Sequence, residues 1–86
     1  MNIKLRVYIK NLELREILIR RRLRIRQFAK KIETPENYIH QLLSGERSVG
    51  PEVQERILIG LNMDPVEDWD IVFKIEGVGL ASQSST

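Results

Sequence analysis

Apolar and polar residues alternate strictly at the start of the chain, with Ile3, Leu5, Val7 and Ile9 on one side and Lys4, Arg6, Tyr8 and Lys10 on the other. Period two predicts a half-buried strand over residues 2–10. The spacing then becomes helical. Leu14, Ile17, Leu18 and Arg21 predict a helix over about 12–21, which Asn11 can cap. Phe28 and Ile32, four residues apart with Ala29 beside them, predict a second over 24–32. Thr34-Pro35-Glu36 is a start signal: a hydroxyl to cap, a proline suited to the first helical position, and an acid for the positive helix end. Tyr38, Ile39, Leu42 and Leu43 then mark a helical face over 35–43, ended by Ser44-Gly45. Pro51-Glu52 opens a helix over 51–61 with Val53, Ile57, Leu58 and Leu61 as its apolar face and Asn62 as its stop. Asp64 with Glu67 three residues later reads as a capping box on one further turn, 65–68. From Trp69 to Glu76 the alternation returns, with Trp69, Ile71, Phe73 and Ile75 opposite Asp70, Val72, Lys74 and Glu76, and predicts a second strand over 70–76. The Gly/Ser-rich, uncharged tail 77–86 is expected to be disordered.

These elements describe one mainly α domain over residues 1–76, four to five helices bracketed by an N-terminal and a C-terminal β-strand. A lone strand leaves its backbone groups unpaired, so residues 3–9 should pair with 70–76, within one chain or across a dimer. A two-stranded ribbon is marginal by itself, which makes a sheet shared by two subunits attractive. The central stretch, Arg24 to Arg47, reads as two short helices joined by a tight turn. That is the pattern of a helix-turn-helix, whose second helix can enter the major groove of DNA.

Charge sharpens this picture. Residues 1–50 carry twelve Lys/Arg against five Asp/Glu, and residues 51–86 carry two against seven. Between Arg20 and Lys31 lie seven basic residues and no acid, a concentration suited to a polyanion. A basic run can be no more than a solvated helix face, and Arg20 to Arg22 could equally serve solubility. Here, however, the run sits in and just before the first helix of the central stretch, where a phosphate backbone would pass. Eighty-six residues allow one modest core, and no apolar run is long enough to cross a membrane. Lysines and arginines interrupt the N-terminus, so no signal peptide is expected. The absence of cysteine removes disulfide and thiol chemistry and fits the cytoplasm, so a cytoplasmic, nucleoid-associated protein is expected. One histidine, no cysteine, no phosphate loop and no carboxylates at metal-ligand spacing point away from an enzyme and imply no cofactor or metal. No aromatic pair suited to stacking RNA bases is present.

From about Leu14 to Leu61, through LREILIRRRL, RIRQFAKKI, NYIHQLLSGER and PEVQERILIGL, the chain resembles the phage-repressor (Cro/repressor, XRE-type) helix-turn-helix family. The resemblance covers a little over half of the sequence and keeps the order of the segments. It implies a compact lambda-repressor-like fold, with Ala29 where the two motif helices touch and Ile39 and Leu42 in the core. Ser44-Gly45-Glu46-Arg47 fits the turn after the recognition helix. Three departures stand out. Glu33 replaces a common glycine in the turn between the helices, and Arg22 replaces another before the first of them. Arg24-Ile25 stands where the family often has a Ser/Thr cap followed by glutamine. Ile25 cannot make that glutamine's phosphate hydrogen bond, so backbone N–H groups and Arg24 or Arg26 would have to take over.

With Ile39 and Leu42 facing the core, Glu36, Asn37, His40 and Gln41 form the opposite face of the second motif helix. The resemblance places Glu36, Asn37 and Gln41 at base-facing sites. Asn or Gln can pair bidentately with adenine N6/N7, each contact worth roughly 1–3 kcal/mol of discrimination. Glu36 could accept from cytosine N4 or simply be a helix-start acid. His40 could face a base, a phosphate or solvent. Arg22, Arg24, Arg26, Tyr38, Ser44 and Arg47 are the candidate phosphate contacts, although half-buried packing is the stronger claim on Tyr38. Trp69 reads as a core plug between the helical body and the second strand. The function expected is sequence-specific recognition of double-stranded DNA by a small repressor-like regulator, a homodimer on a near-palindromic operator, held in part through the terminal strands. The competing expectation is an antitoxin or mobile-element accessory protein that works through a protein partner held by the acidic C-terminal half.

Overall fold

The computed structural model describes residues 3–79, with side-chain surroundings for residues 4–77. The order is β1 (Ile3–Ile9), α1 (Asn11–Arg20), α2 (Ile25–Lys31), α3 (Glu36–Ser44), α4 (Pro51–Gly60), α5 (Trp69–Val72) and β2 (Phe73–Gly79). Five helices and one two-stranded antiparallel sheet make a small, mainly α domain. No helix among the described residues is long and apolar enough to cross a membrane.

The helical stripes predicted from spacing converge on one core. Leu14, Ile39, Leu42, Ile57 and Leu61 are fully buried together with Phe28, and Ile9, Val72 and Phe73 close the core from the ribbon end. Leu43, on the apolar face expected for α3, is also buried. Such short helices gain their stability from this shared burial rather than from propensity.

All four longer helices end in one device, paired backbone bonds across a residue in the left-handed region. After α1, Leu23 N donates to Leu18 O at 2.9 Å and Arg22 N to Ile19 O at 3.0 Å. The same pairing recurs at Thr34 and Glu33 after α2, at Glu46 and Gly45 after α3, and at Met63 and Asn62 after α4. The left-handed residues are Arg22 (φ 57°), Glu33 (φ 56°), Gly45 (φ 83°) and Asn62 (φ 57°). Only one of them is glycine. These terminations satisfy carbonyls that helix ends leave open, and they fix the direction in which the chain departs.

The two strands pair within one chain, Ile3 opposite Gly79 through Val7 opposite Ile75 to Ile9 opposite Phe73. The second strand therefore runs over 73–79, not 70–76, and takes in Gly77 to Gly79, expected in the tail. Residues 80–86 lie outside the described residues, as do Met1 and Asn2. Residues 69–72 are a helical turn because Val72 and Phe73 are both buried, at 0% and 1% exposure. A continuous strand would point these neighbours to opposite faces, and the change from helix to strand between them turns both inward. The expected helix at 65–68 is instead a single hydrogen-bonded turn, Asp68 N to Asp64 O at 3.0 Å, leading into α5.

Caps differ from expectation too. Thr34 is buried, and its hydroxyl donates back to Ile32 O at 3.1 Å instead of capping α3, whose N-cap position is held by Pro35. Asn11 is the first residue of α1, and its side-chain oxygen accepts from Arg15 Nε at 2.6 Å. Asp64 does cap: its Oδ1 accepts from Val66 N and Glu67 N, both at 2.8 Å. The group reaching back to Asp64 N is the Asp68 carboxylate, not Glu67. The two backbone donors, Glu67 first, hold the Asp64 carboxyl below the ordinary carboxylate value.

A polar relay joins the ribbon to the body. Val49 N donates to Val7 O at 2.7 Å, Gln54 Nε2 to Val49 O at 2.7 Å, and Trp69 Nε1 to Gln54 Oε1 at 2.9 Å. Trp69 is half-buried with its ring 5.4 Å from that of Phe73, the plug expected from sequence.

Candidate functional site

Ile39 and Leu42 are 0% exposed and Leu43 3%, so one face of α3 is anchored in the core and the opposite face is presented outward. That outer face carries the predicted residues. Glu36, Asn37 and His40 are exposed, and Gln41 is half-buried at its lower edge. His40 Nε2 lies 3.3 Å from Glu36 Oε2, one helical turn away, so these two side chains engage each other. Asn37 has no side-chain hydrogen bond among the described residues and stands free to pair with a ligand.

Beside the start of α3 lies an open groove lined by Arg15, Arg24, Arg26 and Glu36 around the apolar Leu18, Ile19, Leu23 and Ile25. Arg24 and Arg26, expected on phosphates, are thus brought to the edge of the α3 face, and both are exposed. Arg15 joins them from α1. Sequence reasoning left it out because its place depends on how α1 packs, and the only local signal was its reach to Asn11, four residues earlier. Arg22 is exposed at the end of α1, outside that groove.

Gln27 was missed as well. Its Oε1 accepts from Arg24 N at 2.9 Å and satisfies a free N–H at the start of α2. Arg24 cannot reciprocate, because a guanidinium has donors and no acceptor. The pattern R-x-x-Q, a side-chain acceptor three residues after the N-cap position, was the available clue.

The remaining candidates are arranged differently from expectation. Ser44 Oγ donates to Gln41 O at 3.0 Å. Its only hydroxyl proton is thereby used within the helix, leaving lone pairs that a phosphate repels, so Ser44 as placed is a poor phosphate ligand. The Arg47 guanidinium carbon lies 5.6 Å from the centroid of the Tyr38 ring, and Arg47 Nε donates to Gln41 Oε1. Tyr38 is half-buried against the core, which supports the packing role. Arg47 is therefore tied to the α3 face itself.

No group of three His, Cys, Asp or Glu side chains among the described residues could hold a metal ion. No family model, curated protein or solved structure matches the chain. Its function must be argued from these residues.

Proposed function

We propose that the protein binds double-stranded DNA sequence-specifically as a small repressor-like regulator, with α2 and α3 as a helix-turn-helix and α3 in the major groove. The observation that carries this reading is the outer face of α3, where Glu36, Asn37 and His40 are exposed and Gln41 half-buried beside them, with Arg15, Arg24 and Arg26 at its edge. Asn37 and Gln41 read base edges, while the arginines hold the phosphate backbone and supply most of the affinity. The left-handed backbone at Arg22 and Glu33 supports the resemblance to the phage-repressor family, since these are the positions where that family often has glycine. On this reading the protein acts in the cytoplasm, on the nucleoid, and carries out no catalysis.

The reading includes a homodimer. The apolar face of the ribbon continues beyond the helical body: Ile9 and Phe73 are buried, whereas Ile75 is 58% and Leu5 73% exposed. Stacking this face on that of a second copy would cover it, and two recognition helices about 34 Å apart would meet half-sites one helical turn apart. Sedimentation of the wild-type chain and of Leu5→Ser tests the interface; a wild-type monomer at tens of micromolar refutes it.

The deciding experiment is selection from a random duplex library at about 150 mM salt. An enriched inverted repeat supports the reading. Binding without enrichment and with a steep salt slope would leave only a nonspecific basic patch. Absence of binding would favour the second reading, a protein-partner module. That reading rests on the C-terminal half, where Val66 and Ile71 are 80% and 46% exposed among Asp64, Glu67 and Asp70.

A further inference from the structure

A glutamine on a base-reading helix is usually assigned to adenine, because its carbonyl can accept from N6–H while its amide donates to N7. In this chain the carbonyl already has a partner. Arg47, six residues after Gln41 and beyond the Gly45 turn, donates Nε to Gln41 Oε1 while its guanidinium lies 5.6 Å from the Tyr38 ring centroid. A guanidinium has no acceptor, so the atom it meets must be the oxygen, and the orientation of the Gln41 amide follows. The Gln41 amide nitrogen has no hydrogen bond among the described residues. Tyr38 is half-buried, which gives the stacked arginine a firm support, and the backbone carbonyl of Gln41 is held by Ser44 Oγ.

We propose that Arg47 is a specificity-positioning residue that fixes the Gln41 amide with its nitrogen free and weakens its oxygen as an acceptor, so that the base pair facing Gln41 is chosen for guanine rather than adenine. This rests on the DNA-binding reading above and sharpens it. An oxygen engaged by a cation is a weakened acceptor for adenine N6–H. The Gln41 N–H groups and the remaining guanidinium N–H groups of Arg47 then make donors the stronger partners this pair of side chains can offer a base. In the major groove guanine offers two adjacent acceptors, O6 and N7, whereas adenine offers one acceptor and one donor. Arg47 is then more than a phosphate clamp, the role expected from sequence.

The test is library selection with wild type, Gln41→Ala, Arg47→Lys and Arg47→Ala. Gln41→Ala identifies the base pair by relaxing preference there. Wild type should favour guanine over adenine at that pair by fivefold or more, the lower end of what one good bidentate contact discriminates. Arg47→Lys keeps the charge but removes the planar fork, so preference should move toward adenine by a similar factor while the salt slope stays at the wild-type value. In the free protein, Arg47→Lys should also displace the side-chain amide resonances of Gln41, a readout that needs no DNA. Adenine at the identified pair in wild type, or unchanged base choice in both Arg47 variants, overturns the assignment while leaving DNA binding intact. A wild-type chain that binds no duplex overturns the function and this assignment together, whatever the amide resonances show.

Discussion

Replacing Glu33 by glycine should stabilise the protein. Glu33 sits between α2 and α3 at φ 56°, where a Cβ crowds the following carbonyl. That conformation costs a residue other than Gly, Asn or Asp roughly 1–2 kcal/mol. Glycine removes the strain but loses more backbone entropy on folding, an offset of roughly 0.5–1 kcal/mol. Taking the middle of each range, the expected net gain is about 0.75 kcal/mol, and for a chain of this size each kcal/mol moves Tm by roughly 4–8 °C. Glu33 also borders a groove with Glu52 and Glu55, so removing its charge could contribute separately. Glu33→Ala controls for this: it deletes the charge but keeps the Cβ, and should change stability by less than about 0.5 kcal/mol, as exposed substitutions usually do. Arg22→Gly, at φ 57°, should gain as much as Glu33→Gly, whereas Asn62→Gly should be close to neutral because asparagine tolerates the left-handed region. Gly45→Ala is the reverse case. Among the described residues, no heavy atom beyond its chain neighbours lies within 4 Å of the added Cβ, so its loss, on the order of 1 kcal/mol, reports the backbone term alone. Urea and thermal unfolding followed by far-ultraviolet circular dichroism and Trp69 fluorescence give all five values. If Glu33→Ala stabilised as much as Glu33→Gly, charge and not backbone would be responsible. If neither glycine variant at 22 or 33 gained, the left-handed terminations would be wrong.

Three further outcomes are expected. Gln54→Leu strands the Trp69 N–H and the Val49 carbonyl together and should cost about 1–3 kcal/mol with a shifted Trp69 emission maximum; unchanged stability would refute the relay. Gly60→Ala should destabilise by about 1–3 kcal/mol despite the better helix propensity of alanine, because the new Cβ would lie 2.5 Å from Ile32 Cγ2, and Ile32→Leu should relieve part of the loss in urea titrations. Asp64 has a folded-state pKa below its ordinary value of 3.8, so its contribution is fully present above 3.8 and fades as pH falls through the lower folded-state value. Asp64→Asn should accordingly flatten the acid limb of the stability curve in that window while leaving the limb above pH 5 parallel to wild type, as read by unfolding midpoints across pH.

Much of the α3 face was legible because it follows from helical period alone. Once Ile39 and Leu42 are inward, Glu36, Asn37 and His40 can only be outward, and the exposures agree. What those side chains do to one another was not legible. The tie from Arg47 to Gln41 spans six residues across a turn, and the reach of Ser44 to a carbonyl competes with any phosphate role; neither leaves a mark in the spacing. The placing of Arg15 beside Arg24 and Arg26 depends on the packing of α1 against the motif helices and on nothing local.

Local pattern determined where the four longer helices and the first strand would form, which faces those helices would bury, and that the ends of the chain would pair, because each of those depends on periodicity and on unpaired backbone groups. Tertiary structure decided the rest. Over Trp69 to Glu76, uninterrupted alternation describes a strand, yet Val72 and Phe73 must both enter one core and Trp69 must reach Gln54. A helical turn followed by a strand meets all three demands, and a strand alone meets none of them together. Arg22 and Glu33 likewise hold a conformation their own side chains disfavour, because the buried helices they connect fix the path of the chain between them.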